Sequence, residues 1–254
     1  MIEATSAPAP KATIVVDDVH VKYRVFASGK RMGSAPKAII TPRTRATREV
    51  HALRGVSLTV HEGETLGVIG RNGSGKSTLL GAISGLLPTT SGRIWAEDRP
   101  ILLGVNAALL PDLSGERNIV LGLLALGSSR AEATARVAEI AEFAELEEFI
   151  HHPMQTYSSG MAARLRFAIG ASKDHSILLI DEALAVGDRA FKLKSEERVR
   201  QMQRNAGTVL LVSHSMGSIR DMCSRVIWVD RGVIRMEGPP DDVIDAYHRE
   251  AGGA

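Results

Sequence analysis

The sequence predicts an α/β fold, in which buried strands alternate with helices. Residues 65–83 form an apolar run, a glycine-rich loop and a second apolar run, the pattern of strand, loop and helix. Two more runs of four apolar residues, 177–180 and 209–212, have the length and continuous hydrophobicity of strands buried on both faces. Alternating residues in 12–26 and 56–60 predict further strands of the half-buried kind.

The glycine-rich loop has the spacing G-x-x-x-x-G-K-S, which is typical of a phosphate-binding loop (Walker A). Glycines let successive backbone N–H groups face one point, and the following helix directs its positive end there. We expect Lys76 to face the β- and γ-phosphates and Ser77 to bind Mg²⁺. The loop therefore predicts binding of ATP or GTP, through Gly70, Asn72, Gly73, Ser74, Gly75, Lys76, Ser77 and Thr78.

Composition narrows the class of protein. The chain has 254 residues, and its net charge of +2 does not indicate a nucleic-acid partner. Its single cysteine, Cys223, excludes an intrachain disulfide and fits a reducing compartment. No apolar run approaches the roughly 20 residues of a membrane span, and residues 1–11 lack the basic start and apolar core of a signal peptide. We expect a disordered lead over 1–11 and a cytoplasmic protein.

The N-terminal part contains two features with more than one interpretation. Tyr23 lies near the end of the predicted strand or strands over 12–26, where it could stack on a nucleobase or pack across the sheet, and the pattern fits both equally. Residues 27–48 contain six basic residues and no acid, with two glycines and two prolines. They predict a basic insertion, which is either a solvated loop or a contact with an anionic surface such as lipid head groups. The absence of aromatic residues argues against a single-strand nucleic-acid binder.

From about residue 106 the pattern becomes helical. Ser114 precedes a helix predicted through Leu126, and Ser129 with Glu132 forms a capping box for a segment that runs to about Ile150. The adjacent residues His151 and His152 could be metal ligands, but no further ligand stands at a suitable spacing in the sequence, so a surface position is favoured.

The next helix is predicted over 162–172, with Ser158 and Ser159 as candidate N-caps. The run 177–180 then ends in Asp181 and Glu182, which is the Walker B pattern with an acid behind it. We expect Asp181 to hold Mg²⁺ and Glu182 to orient and polarise the attacking water. His214 follows the run 209–212, at the strand end where ligands bind in α/β sheets.

The end of the chain predicts a hairpin over 226–235, with its turn at Arg231 and Gly232, and a closing helix over 241–248.

Walker A, a Tyr-Ser-Ser-Gly-Met helix start, Asp181-Glu182 and His214 occur in that order, and this set resembles the nucleotide-binding domain of ABC transporters. The start Y-S-S-G-M replaces the commoner L-S-G-G-Q, and D-E-A-L-A-V-G-D replaces D-E-P-T-S-A-L-D. With the basic insertion, these variants resemble the branch that exports polysaccharides such as O-antigen, teichoic acid and galactan. The resemblance implies one ABC-type domain over 12–248. It would have a RecA-like core, an antiparallel β-subdomain and an α-helical subdomain over about 106–175, with the basic insertion at 27–48.

The resemblance also implies roles for single residues. Tyr23 matches the adenine-stacking aromatic, Asp188 the dimer contact of the D-loop, and His214 the switch histidine that bonds the γ-phosphate. Ser158, Ser159 and Gly160 match the signature that clasps ATP held by the opposite subunit. These roles imply ATP and Mg²⁺ as cofactors and a head-to-tail homodimer. They also imply a polytopic membrane permease as partner, at the cytoplasmic face of the inner membrane, and no nucleic acid.

One departure from the family pattern concerns a glutamine that contacts Mg²⁺ and senses the permease. No glutamine lies between Ile101 and Arg117, and Asn106 is the nearest amide, so it is the Q-loop candidate. Because the chain ends without the extra carbohydrate-binding domain of some relatives, we expect sugar recognition in the permease or elsewhere.

Two alternative hypotheses for the function are a non-transport ABC ATPase acting on ribosomes or DNA, and a transporter subunit for another cargo. A P-loop kinase would leave Ser158, Gly160 and His214 without a role.

Overall fold

A computed structural model describes residues 10–26, 47–103, 109–181, 188–213 and 215–251. The strands are β1 (Ala12–Phe26), β2 (Thr47–His61), β3 (Thr65–Ile69), β4 (Ser91–Ala96), β5 (Ile101–Leu102), β6 (Ile177–Asp181), β7 (Thr208–Val212), β8 (Arg225–Asp230) and β9 (Val233–Gly238). The helices are α1 (Lys76–Ile83), α2 (Gly115–Ala125), α3 (Arg130–Ala135), α4 (Val137–Ala144), α5 (Ser159–Gly170), α6 (Arg189–Asn205), α7 (Met216–Met222) and α8 (Pro240–Ala251), with a 3₁₀ turn at Met154–Thr156.

Within these ranges the strands form two sheets. The larger sheet has the order β5-β6-β7-β3-β8-β9, and its strands are parallel except for β9, which pairs antiparallel with β8. The smaller sheet is antiparallel, in the order β2-β1-β4. The predicted α/β class is confirmed, and α2 to α5 form a helical block in the chain between β5 and β6.

The central strands are apolar along most of their length because both faces of the large sheet are covered. Leu66, Val68 and Ile69 of β3 are fully buried, and all five residues of β7 are buried. The two sheets share one apolar cluster, in which side chains of β1 and β2 pack with those of β3 and α1. A hydrogen bond of 2.8 Å between the buried hydroxyls of Thr13 and Thr208 also joins β1 to β7. The small sheet is therefore packed against β3 and α1, the strand and the helix on either side of the glycine-rich loop.

The local predictions for the helical block are confirmed at its helix starts. The Ser114 hydroxyl accepts the Arg117 N–H at the start of α2, and Ser129 and Glu132 form both bonds of the capping box at α3. The predicted helix to about residue 150 is wrong, because the chain breaks into α3 and α4 and α4 ends at Ala144. Glu145 adopts a left-handed backbone conformation, φ 57°, which ends the helix.

The structure adds two helices that the sequence pattern does not predict, α6 and α7. Of the 17 residues of α6, only Phe191, Ser195 and Met202 are buried, too few to give a continuous apolar stripe. None of the described helices combines the length and the hydrophobicity needed to cross a bilayer. Of the predicted basic insertion, residues 27–46 lie outside the described residues, and 47–48 already belong to β2. Residues 1–9 of the predicted lead lie outside them as well.

One guanidinium group connects the two sheets. Arg225, at the start of β8, donates from Nε to Glu64 Oε1 (2.6 Å) and from Nη2 to Glu64 Oε2 (3.0 Å) and Thr59 O (2.6 Å). It also pairs with Glu237 of β9. Burial raises the pKa of Glu64, but the bonds from Arg225 and from the His61 N–H outweigh burial, so the pKa lies below its ordinary value.

We predict that Arg225→Met lowers the free energy of unfolding by about 2 kcal/mol, because it leaves the mostly buried Glu64 carboxylate without its cation. Urea denaturation measures this change. Arg204→Met is the matched control, since Arg204 is exposed and its contact with Glu197 at 3.5 Å contributes little.

The pH dependence checks the cause. Because the folded pKa of Glu64 is lowered, its stabilisation is complete above the unfolded pKa of about 4.5 and is lost as the pH falls through the folded pKa. The difference in unfolding free energy between the wild type and Arg225→Met should therefore shrink below that pH. A constant difference would contradict the role of the ion pair.

Candidate nucleotide-binding site

The glycine-rich loop follows β3 and leads directly into α1. Gly70 has φ 149°, and a Cβ there would lie 2.2 Å from the Val229 carbonyl oxygen, so no other residue fits without moving β8. Gly75 stands at the N-cap position of α1 with φ 117°. The backbone N–H groups of the first turn of α1 are thus available to an anion in the loop.

The hairpin turn between β8 and β9 fixes the loop to the small sheet. Gly232 donates its N–H to Ser74 O (2.7 Å) and accepts the Arg54 N–H at 2.8 Å. A Cβ at Gly232 would lie 2.5 Å from Ala52 O, so the close approach of β2 requires glycine. Arg231 and Gly232 both have positive φ, as the predicted hairpin turn requires.

Lys76 is the first residue of α1, and its side chain lies along the loop. Nζ donates to the carbonyl oxygens of Gly70 (2.7 Å) and Arg71 (3.1 Å), and the residue is only 7% exposed. The ammonium is therefore held over the centre of the loop, where the Walker A pattern places the charge for a phosphate.

Ser77 and Asp181 meet although they are distant in sequence. Ser77 Oγ donates to Asp181 Oδ2 at 2.8 Å, which joins the start of α1 to the end of β6. Because β6 and β3 flank β7 in one parallel sheet, their carboxyl ends lie at the same edge. A hydroxyl and a carboxylate oxygen are ligands that Mg²⁺ accepts, so the pair fits the predicted metal-binding role.

A cleft of about 410 Å³ lies between the loop and β2. Loop residues, Asp181 and Val212 form one wall, and the other is formed by Val50, His51, Ala52, Arg54 and Arg231. The sequence does not predict that these five residues line the site, because no motif surrounds them and only folding brings β2 and the hairpin to the loop.

Tyr23 lies beside this cleft. Its ring is half-buried against the apolar cluster shared by the two sheets, and its hydroxyl donates to Thr78 Oγ1 at 3.4 Å. Of the described residues, Tyr23 is not part of the cleft lining, whereas its sheet neighbour Val50 is. The structure thus shows the packing of Tyr23 against the core, and its stacking on a nucleobase stays a prediction.

The predicted signature residues lie at the start of α5. Ser158 is the N-cap, and its Oγ accepts the Met161 N–H at 3.2 Å. Ser158, Ser159 and Gly160 are all exposed, and a Cβ at Gly160 would meet nothing closer than 3.8 Å. The start of α5 therefore lies on an open surface, with the Met161 N–H capped by Ser158.

Asp188 is the N-cap of α6. Its Oδ1 accepts the N–H groups of Ala190 and Phe191, each at 3.0 Å, and its Oδ2 accepts from Arg164 at 2.6 Å. The Phe191 N–H, then the charge of Arg164 and the Ala190 N–H, lower the pKa of Asp188.

Three predicted site residues, Asn106, Glu182 and His214, lie outside the described residues, and their roles stay predictions. His151 bonds Glu116 at 3.0 Å, as a surface pair does. Among the residues that the structure describes, no group of three or more His, Cys, Asp or Glu side chains is arranged to hold a metal ion.

The loop, the lysine and the serine–aspartate pair define a P-loop nucleotide-binding domain. The ABC transporter family model matches residues 53–185, and the chain belongs to this family. It is 45% identical over 210 residues to the O-antigen export system ATP-binding protein RfbB of Myxococcus xanthus, covering 82% of this chain and 48% of RfbB. It is 36% identical over 237 residues to the teichoic acids export ATP-binding protein TagH of Staphylococcus saprophyticus, covering 93% of this chain and 88% of TagH.

The chain spans about half the length of RfbB and 46% of the TagH protein of Lactococcus lactis. Among solved structures, the ATP-binding cassette MJ0796, a dimer in a post-hydrolysis state bound to ADP and Pi, superposes with a TM-score of 0.66. The identity is 23%, and the match covers 89% of this chain and 98% of the cassette, so this likeness shows the fold.

We predict that Ser77→Ala weakens ATP binding about tenfold in the presence of Mg²⁺ and leaves it unchanged in EDTA, because only the metal ligand is removed. Equilibrium binding of a fluorescent ATP analogue measures both values. Ser84→Ala, at the other end of α1, is the matched control, since its hydroxyl donates to the local Gly81 O at 3.0 Å and takes no part in the Ser77–Asp181 contact. Equal losses with and without Mg²⁺ would contradict the metal role.

Proposed function

We propose that this chain is the ATP-binding and ATP-hydrolysing subunit of an ABC exporter that moves a lipid-linked polysaccharide across the cytoplasmic membrane. The observation that carries the proposal is the Ser77–Asp181 contact beside Lys76, in a family member that is similar to proteins named for O-antigen and teichoic acid export.

The residues at the loop would bind and orient the triphosphate. The loop N–H groups and Lys76 would hold the β- and γ-phosphates, and Ser77 and Asp181 would hold Mg²⁺. Mg²⁺, when bound, supplies positive charge that offsets the charge of the phosphates. Glu182 follows Asp181 directly, so it would accept the proton of the attacking water, and His214 would bond the γ-phosphate.

A second copy of the chain would complete the site. Ser158, Ser159 and Gly160 offer an exposed helix N-terminus, which favours an anion. Two helix N-termini can face one triphosphate from opposite sides only in a head-to-tail homodimer. ATP would then hold two subunits together, and hydrolysis would loosen them and drive motion in a polytopic permease.

The cargo assignment rests on the polysaccharide-export names of the relatives and on the variant motifs at Ser158 and Asp181. A galactan is a polysaccharide too, so it belongs to the same class of possible cargo. The subunit would be peripheral, at the cytoplasmic face of the inner membrane through its permease, and would bind no nucleic acid.

We predict that Lys76→Ala abolishes ATP binding, whereas Glu182→Gln binds ATP and loses at least about 100-fold in turnover, because the first removes the phosphate charge and the second the general base. Measurements of ATP binding and of Mg²⁺-dependent phosphate release separate the two effects. Normal turnover in Glu182→Gln would show that another group activates the water.

The transport role is tested by purification of the chain from membranes and by its depletion in cells. Co-purification of a polytopic permease, with accumulation of a lipid-linked glycan on depletion, is the expected result. Co-purification with ribosomes or DNA in place of a membrane partner would instead favour a non-transport ATPase.

A further inference from the structure

One arginine connects three elements at the exposed end of the helical block. Arg164 lies on α5, and its Nη1 donates to Glu145 Oε2 at 2.8 Å, directly after α4. Its Nη2 donates to Asp188 Oδ2 at 2.6 Å, at the start of α6. The guanidinium carbon lies 5.1 Å from the ring centre of Phe191, the first fully buried residue of α6.

This arrangement differs from an ordinary surface ion pair. The Arg164 side chain is only 18% exposed, and its two amino groups are used by carboxylates from two separate segments. A planar guanidinium with two partners and an aromatic face beneath it has few alternative orientations. A lysine cannot reproduce this, because its single ammonium carries no planar fork.

Arg164 lies between two groups that are expected to face a second copy of the chain, the signature at the start of α5 and Asp188 at the start of α6. Arg164 lies six residues after Ser158 on α5, about 9 Å along the helix axis. Asp188 Oδ1 is already occupied by the Ala190 and Phe191 N–H groups, so Oδ2 is the oxygen whose direction Arg164 fixes. Arg164 therefore connects the helix that begins at the signature directly to Asp188.

We propose that Arg164 is a positioning residue that couples the signature at the start of α5 to Asp188, so that the two partner-facing groups engage a second copy of this chain together. This inference rests on the proposed function, in which Ser158 and Gly160 clasp ATP held by that second copy. Arg164 does not touch the nucleotide. It makes the closure of the dimer cooperative.

The test uses Arg164→Met, which keeps the apolar stem and removes the guanidinium. In the full chain we expect the Hill coefficient for ATP in the hydrolysis assay to fall from above 1 to about 1. We expect kcat to fall at least about tenfold. The affinity of the isolated subunit for ATP should stay within about twofold, because the phosphate loop is intact. Sedimentation with Mg²⁺ and a non-hydrolysable ATP analogue should show a smaller fraction of dimer.

Two variants separate coupling from general loosening. Arg166→Met removes an arginine from the same helix for which the described part of the chain provides no ion-pair partner. Arg136→Met removes the bonds of Arg136 to Glu139 and Ser172 O, within the helical block and away from Asp188. Both should keep the wild-type Hill coefficient and dimer fraction.

A further variant guards against misfolding of Arg164→Met. Asp188→Asn retains an oxygen that caps α6 and removes the charge that Arg164 binds. It should reproduce the loss of cooperativity at an unchanged melting temperature.

The inference is overturned if Arg164→Met and Asp188→Asn keep the kinetics and dimer fraction of the two controls, whatever their melting temperatures. If the wild-type chain neither hydrolyses ATP nor dimerises with it, the proposed function itself fails, which is a different result.

Discussion

The candidate site depends on one hydrogen bond, from the Ser77 hydroxyl to the Asp181 carboxylate. It forms because β3 and β6 are parallel and end at the same edge of one sheet, with β7 between them. Buried apolar residues on both faces of these strands pack between the layers that cover the sheet, and this packing holds the ends of the strands in place. The positions of Ser77 Oγ and Asp181 Oδ2 at the sheet edge are thus set by the packing of the strands that precede them. Strand β2 of the small sheet contributes to the second wall of the cleft.

Much of this site could be predicted because its parts are local in sequence. The loop from Gly70 to Thr78 carries its own backbone requirements, and Asp181 follows a strand whose continuous hydrophobicity indicates burial on both faces. Ser158 was predicted as a cap, and the structure bears that out with a bond to Met161 N. These elements are specified by short-range sterics and hydrogen bonding, which a single sequence displays.

The rest could not be predicted because it depends on long-range contacts. His51 and Arg54 reach the cleft through long-range contacts, among them the bonds of the Gly232 turn to the Arg54 N–H and to Ser74 O, across more than 150 residues of chain. Helix α6 is not predicted because most of its residues are exposed, so its sequence shows no clear apolar stripe. The end of α4 at Ala144 also lacks a glycine or proline, and Glu145 adopts the left-handed conformation that usually indicates glycine.

Long-range contacts also matter for how the exposed groups of one subunit would engage a second copy of the chain. The phosphate loop is buried at Ser74 and Lys76, whereas Ser158 and Asp188 lie exposed at the N-terminal ends of α5 and α6. Exposed groups on separate helices would engage a partner independently unless a stiff contact joined them. We propose Arg164 as such a contact, since its guanidinium is held by the Glu145 and Asp188 carboxylates and lies over the Phe191 ring. On the proposed role of Arg164, the signature and Asp188 would then close on a second copy of the chain as one unit.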